Sequence, residues 1–278
     1  MKVCFRGVRG SVPVAEKEAL GYGGNTACVD VELAGGQRIV LDAGTGIRAL
    51  GPEIDPTAGP IHILLTHLHL DHISGLLFFA PLFDPRAEVT VWGPPHPSED
   101  LRKRLARYLS TPLSPVEIRD LPANVCFRSC EPDGWRIGDA KITAEPVIHR
   151  GPTVGYRIVE DGAVLAYIPD HEPALGQDLA RDPPGWISGH CLASDASLLI
   201  HDGQYTDQEY ASTIGWGHSR VRDALAYGKR ADARRVALFH HDPTHDDATL
   251  DALAEEAQAD WNGDGELMFA REGTELDL

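Results

Sequence analysis

Basic residues are scarce in this chain: 25 Lys and Arg stand against 42 Asp and Glu, and the formal net charge is -17. Such a balance argues against a protein that grips long nucleic acid through a broad cationic face. It leaves room for a small anionic substrate, because bound divalent cations supply positive charge locally. Long apolar runs are missing as well. Stretches such as Leu76–Ala80 fall far short of a bilayer span, so no membrane role is expected. The first ten residues, MKVCFRGVRG, hold no apolar run of signal-peptide length, and a cytoplasmic location is expected. The five cysteines, Cys4, Cys28, Cys126, Cys130 and Cys191, are odd in number and scattered, as reduced thiols are. Cys126 and Cys130 form the one near pair, and without a second pair they are not expected to hold a structural metal. There is no G-x-S-x-G elbow and no P-loop, which argues against a serine hydrolase and a P-loop nucleotide enzyme. Low-complexity tracts are absent and 42% of residues are hydrophobic, so the chain as a whole is not disordered.

Turns and short apolar runs are what the chain does have. It carries 28 Gly and 20 Pro, in keeping with a globular protein rich in strands and turns. Its 278 residues can bury a core without disulfide staples. No linker or repeat divides them, so a single domain, 1–278, is the simplest reading. Strands are predicted at Val29–Leu33, Arg38–Leu41, Ile61–Thr66, Val89–Trp92, Lys141–Thr143, Val154–Val159, Ala163–Ile168, Leu198–Ile200 and Val236–Phe239. Helices are predicted over Ser98–Ser110, with Ser98 as N-cap, and over Arg220–Arg230 and Ala248–Ala259. Strands dominate the first half and strand–helix alternation marks each end, a pattern of two sheets covered by helices. Gly44-Thr-Gly46-Ile-Arg-Ala49 has the spacing of a dinucleotide fingerprint, but the acid that should follow on a second strand is missing. The acidic run Asp242–Asp251 reads as a solvated loop and helix start, where negative charge favours the helix dipole.

The chemistry concentrates in Thr66-His67-Leu68-His69-Leu70-Asp71-His72. Imidazole and carboxylate are good ligands for zinc and similar divalent metals. Alternate residues of an extended segment point the same way, so His67 and His69 can converge on one ion. Asp71 and His72 are adjacent and diverge, which suits a second ion beside it.

This His-x-His-x-Asp-His string after a strand resembles the signature of the metallo-β-lactamase superfamily, and the resemblance extends over nearly the whole chain. It implies an α/β fold, an αββα sandwich with metals at the edge between the sheets. It also implies a lone His at the end of a later strand, matched by His149 in Glu145-Pro-Val-Ile-His149. A carboxylate bridging two metals comes next, matched by Asp170, and a final His, matched by His240. By resemblance, His67, His69 and His149 hold one divalent ion. Asp71, His72 and His240 hold the second, and Asp170 lies between them. His241 is the rival to His240, which is preferred. Asp42, in Leu41-Asp-Ala-Gly44, resembles the family's acid beneath the metals, and it reads equally well as a turn-forming Asp.

Leu198-Leu-Ile-His-Asp202 and Gly215-Trp-Gly-His218-Ser219 resemble the phosphodiesterase branch, which includes tRNase Z. There an acid after a strand and a His before a helix form a proton-donating dyad. The resemblance makes His218 the donor to the leaving oxygen and Asp202 its orienting partner, with Asp71 counted beside them at the reacting centre. Two ions sharing a hydroxide nucleophile would lower its pKa and neutralise the phosphate. Zinc is the expected metal, with manganese or iron able to replace it. The chain departs from tRNase Z in lacking a long Gly- and Lys-rich arm, and its charge is poor for holding tRNA. Arg6–Pro13, Gly23–Thr26, Phe78–Pro81 and Phe239–Pro243 resemble a bacterial group of small hydrolases of this fold, some described as cyclic-nucleotide phosphodiesterases. A small phosphodiester substrate is therefore expected, while the oligomeric state stays open, a homodimer being one option that the resemblance offers. The Gly21–Asn25 loop either borders the pocket or is a plain loop. Other readings are a thioester, lactone or lactam hydrolase, a cofactor-synthesis enzyme, tRNase Z-like RNA processing, and a non-enzymatic metal-binding sensor.

Overall fold

Leu198, Leu199 and Ile200 are all fully buried, yet Leu198 and Ile200 enter one core and Leu199 another. A strand buried on both faces must lie between two layers. The computed structural model, which describes residues 1–261 and 265–278, has two such sheets face to face. Strands β1 (Lys2–Gly7), β2 (Cys28–Glu32), β3 (Arg38–Leu41), β4 (Ile61–Leu64), β5 (Glu88–Gly93) and β6 (Asn124–Ser129) build the first. The second holds β7 (Trp135–Ile137), β8 (Ala140–Pro146), β9 (Val154–Glu160), β10 (Ala163–Ile168), β11 (Leu198–Asp202), β12 (Arg235–Phe239) and β13 (Glu266–Phe269). Strand β14 (Glu275–Asp277) returns to the outer edge of β1.

The inner core takes Phe5, Val29, Val31, Ile39 and Leu41 from one sheet and Tyr156, Ile158, Tyr167, Ile200 and Phe239 from the other. Helices cover the outer faces. Short helices α1 (Ile47–Leu50), α2 (Leu70–Ile73) and α3 (Leu101–Ala106) lie over the first sheet. Helices α4 (His190–Ala193), α6 (Val221–Arg230) and α7 (Asp247–Asp260) pack on the second, and α5 (Asp207–Thr213) precedes α6. This is the expected αββα layering.

Strands β3, β4 and β5 run parallel, as do β10, β11 and β12. Their carboxyl ends therefore gather along one edge, which is where open α/β sheets bind ligands.

Helix α3 is shorter than predicted, and its cap is Asp100 rather than Ser98: Asp100 Oδ1 accepts from Lys103 N at 2.8 Å. A carboxylate caps as well as a hydroxyl, and the Tyr-Leu-Ser-Thr-Pro sequence that follows is poor helix material. Strands β1, β6, β7, β13 and β14 and helices α1, α2, α4 and α5 have no counterpart among the predicted elements. In the Gly21–Asn25 loop, Gly21 and Tyr22 bind Asp247 and Asn25 binds Glu272 through backbone and side chain. The plain-loop reading fits this better than a pocket border.

Candidate metal centre

Every predicted ligand sits just beyond a strand. His67 and His69 follow β4, Asp71 and His72 open α2, His149 follows β8, Asp170 follows β10, and His240 follows β12. The structure brings all seven together. Donor atoms of His67, His69 and His149 lie within 4.8 Å of one another, and so do those of Asp71, His72 and His240. Asp170 lies between them: its carboxylate is 3.7 Å from His67 Nε2 and from His149 Nε2, 3.1 Å from His72 Nε2 and 3.4 Å from His240 Nε2. His241 points elsewhere, donating Nε2–H to the Ala270 carbonyl at 2.9 Å.

Two of these positions use left-handed backbone. Asp42 (φ 57°) ends β3 and His240 (φ 63°) ends β12. From these turns Asp42 reaches His72 Nδ1 from beneath, and His240 Nε2 comes to 3.1 Å from Asp71. Gly10 makes room for His240, since a Cβ there would lie 2.4 Å from the ring. The next residue, Ser11, donates its backbone N–H to Asp71 Oδ2 at 2.8 Å.

A carboxylate beneath the cluster orients both halves. Asp42 is fully buried and accepts from Thr66 N (2.7 Å), Thr66 Oγ1 (2.9 Å), Tyr167 Oη (2.9 Å) and His72 Nδ1 (2.8 Å). Thr66 Oγ1 lies 3.0 Å from His67 Nδ1, so the same acid reaches His67 through the hydroxyl. His149 Nδ1 donates to the Gly217 carbonyl (2.7 Å) and His240 Nδ1 to Gln204 Oε1 (3.0 Å). With Nδ1 of each of these histidines held from behind, Nε2 is the nitrogen left facing the other ligands, the orientation a metal ligand needs. The supports Thr66, Tyr167, Gln204 and Gly217 carry no sequence signal of their own.

The electrostatics call for positive charge. Burial favours neutral Asp71 and Asp170, yet His72 and His240 hold both carboxyls well below the ordinary range. Burial likewise opposes a charged His72, but Asp170, Asp71 and Asp42 raise its pKa well above the ordinary value. Three buried carboxylates, Asp42, Asp71 and Asp170, thus crowd around His72. His67, by contrast, is driven toward neutrality by burial, and its Nε2 is buried without a hydrogen-bond partner. An orphaned lone pair beside uncompensated acids is the donor chemistry that fits divalent cations.

Beside this cluster, His218 Nδ1 lies 2.8 Å from Asp202 Oδ2. Asp202 is fully buried at the end of β11 and also accepts from the backbone of His171 (3.1 Å) and Gln204 (3.0 Å). His218 stacks on His240, with centroids 4.9 Å apart. It opens into a cavity of about 530 Å³ that Arg150, Tyr205 and Trp216 also line. Cys130 is buried 3.3 Å from Tyr156 Oη, while Cys126 is exposed on β6. No helix among the described residues is long and apolar enough to cross a membrane.

Comparison with known proteins places this geometry. The sequence model of the β-lactamase superfamily domain matches residues 37–241. The chain is 26% identical to the ribonuclease Z of Haloferax volcanii over 322 aligned positions, covering 100% of this chain and 95% of that one. Among solved structures, Zn2+-bound PqqB from Methylobacterium extorquens superposes with a TM-score of 0.72 at 19% identity over the full length of both chains. The short form of human tRNase Z gives 0.67 at 19% identity, over 100% of this chain and 99% of that one. The fold implies divalent metal ions, and the clustered His and Asp side chains can receive them. The chain is a hydrolase of the metallo-β-lactamase fold and belongs to that superfamily.

Proposed function

We propose that this chain is a dinuclear metal-dependent phosphodiesterase that cleaves a compact phosphodiester, such as a cyclic nucleotide. The observation that carries the reading is the His218–Asp202 pair, 2.8 Å apart, opening into a cavity beside the ligand cluster. His67, His69 and His149 would hold one ion, Asp71, His72 and His240 the other, with Asp170 between. Zinc is the first choice, and manganese or iron suit the same mixed donors. When bound, such ions neutralise phosphate charge and lower the pKa of a water molecule.

The remaining chemistry belongs to the chain. Burial opposes a charged His218, but Asp202 prevails and raises its pKa to about 9. That direction favours the protonated form a donor needs. Asp202 fixes Nδ1, which leaves Nε2–H for the leaving alkoxide. Compact substrates suit the charge of -17, which repels a long polyanion while the centre attracts a single phosphate. The whole chain would act as one cytoplasmic unit, and a homodimer is the assembly that light scattering would test.

The test is hydrolysis of bis-p-nitrophenyl phosphate and cyclic nucleotides by metal-loaded protein. His218→Ala should lower kcat by about 10²- to 10⁴-fold with metal content retained. A fully metallated wild type inert to all of them rejects the reading. A His218→Ala variant that still turns over thioesters or lactones at the wild-type rate would favour those substrates. One observation favours a second reading, RNA processing: the match to a ribonuclease Z runs the whole chain. Cleavage of a precursor tRNA faster than of any cyclic nucleotide would establish it.

A further inference from the structure

Glu172 is 1% exposed and is not part of the metal cluster. Its carboxylate accepts from Tyr210 Oη (2.9 Å), Gly215 N (2.8 Å) and Gly217 N (2.7 Å), all of them neutral donors. A buried carboxylate without a cation is costly unless well hydrogen-bonded, so its role is to be sought in what it holds. Two of its three donors flank Trp216, whose own N–H is tied to the Thr213 carbonyl at 2.9 Å. Gly217 has φ 97°, and a Cβ there would lie 2.5 Å from His149 Nδ1, so the loop presses directly on the metal cluster. Three successive backbone N–H groups are thus pinned.

At the tip of this fixed loop stands an indole that is 54% exposed. Arg150 braces it: the guanidinium lies 6.0 Å from the ring centroid and Nε donates to the Gly215 carbonyl at 3.2 Å. Trp216, Arg150 and His218 line the same cavity of about 530 Å³, a volume in the range that holds small ligands. The acids at its wall are already engaged. Glu209 accepts from Thr206 and His245, and Asp242 accepts from Thr244 and Gln204. His218, which stacks on His240 of the metal cluster, thus shares this cavity with a rigid aromatic face.

We propose that Trp216 is the shelf on which a nucleobase of the substrate stacks, with Glu172 as its positioning residue and Arg150 as its brace. The assignment rests on the phosphodiester reading and narrows it to nucleotide-type substrates. Stacking is tolerant of base identity, because every base has a π face, so discrimination between bases is expected to be weak.

The test compares ligands that share a phosphate and differ only in the base. Calorimetry on the metal-loaded protein should show AMP binding at least about fivefold tighter than ribose 5-phosphate. Trp216→Ala should abolish that ratio, and Trp216→Phe should keep most of it. Glu172→Gln should shrink the ratio as well, a readout that a merely structural acid would not move. With turnover, Trp216→Ala should lower kcat/KM for the thymidine 5′-ester of p-nitrophenyl phosphate relative to the methyl ester by at least about fivefold. A wild type that binds both monophosphates equally, or a ratio unchanged in Trp216→Ala, overturns the shelf. Because the binding arm needs no hydrolysis, failure of the phosphodiesterase reading would be seen separately, as a protein that prefers AMP yet cleaves neither ester.

Discussion

Replacing Asp42 by Asn tests whether this one side chain orients the centre. The four groups it accepts from all lie within 3 Å: the Thr66 amide at 2.7 Å, His72 Nδ1 at 2.8 Å, and the Thr66 and Tyr167 hydroxyls at 2.9 Å. Asn keeps Oδ1 for the Thr66 amide but turns a donor toward the other three. The hydroxyls can rotate to accept. His72 cannot, unless its proton moves from Nδ1 to Nε2, the nitrogen facing Asp71 and Asp170. All four bonds lose their charged acceptor, each losing about 1 kcal/mol, so the metal-free protein should lose about 4 kcal/mol in urea unfolding. The larger effect falls on metal binding. Loss of a carboxylate partner behind a ligand His costs about 10- to 100-fold in affinity, and the second equivalent of zinc should weaken by that factor. Competition with a chromogenic chelator measures it. Tyr167→Phe is the control: it removes one donor, leaves His72 on Asp42, and should cost about 1 kcal/mol with zinc affinity unchanged. An Asp42→Asn protein that binds the second zinc within twofold of wild type would refute the tautomer argument.

Three further outcomes follow from the same structure. Buried His201 donates Nδ1–H to the Asp202 carbonyl (2.8 Å), lies 3.0 Å from His171 Nδ1, and is pushed down to about 4 by burial. The folded state thus binds fewer protons than the unfolded state between about pH 6.5 and 4, so stability falls by about 1.4 kcal/mol per pH unit on acidification through that window. Urea unfolding of metal-free protein should show this slope on top of the other groups, and His201→Gln should remove about that much of it; an unaltered slope would reject a neutral buried His201. Chelation should lower the thermal midpoint, because a ligand at 100 times its Kd contributes about 2.7 kcal/mol, and zinc should restore it; equal midpoints would mean the cluster does not bind metal when folded. Finally, among the described residues the Arg9 guanidinium donates to carbonyls alone, those of Ala19, Gly23, Asp242 and His245. Arg9→Met should cost about 3 kcal/mol or more and expose residues 10–25 to proteolysis, whereas unchanged cleavage would show that the arginine does not hold that loop.

How much of this was legible in the sequence depends on how local each signal is. His67, His69, Asp71 and His72 lie within six residues, and their spacing alone points to two ions. His149, Asp170 and His240 are single residues at strand ends and acquire meaning only in the order of a family pattern. Asp42 could be read as a turn residue or as support for a ligand; its partner Tyr167, 125 residues away, is what separates the two readings. The unpredicted strands fail for physical reasons. In β6, Asn124–Ser129, only Val125 and Phe127 turn toward the core and neither is fully buried, so this edge strand offers an alternation just two residues long. In β1, Arg6 interrupts the apolar run because it is paired with Glu53 and Asp30 on neighbouring elements. Ser98 and Asp100 are both good caps, and nothing in the preceding residues chooses between them. Glu172 is the extreme case. Its donors come from Tyr210, Gly215 and Gly217, some forty residues downstream, and one acid among 42 has no local mark. Ligand strings are written in adjacent residues because the metal needs them close. The groups that aim the ligands need only be close in space, and the chain can draw them from anywhere.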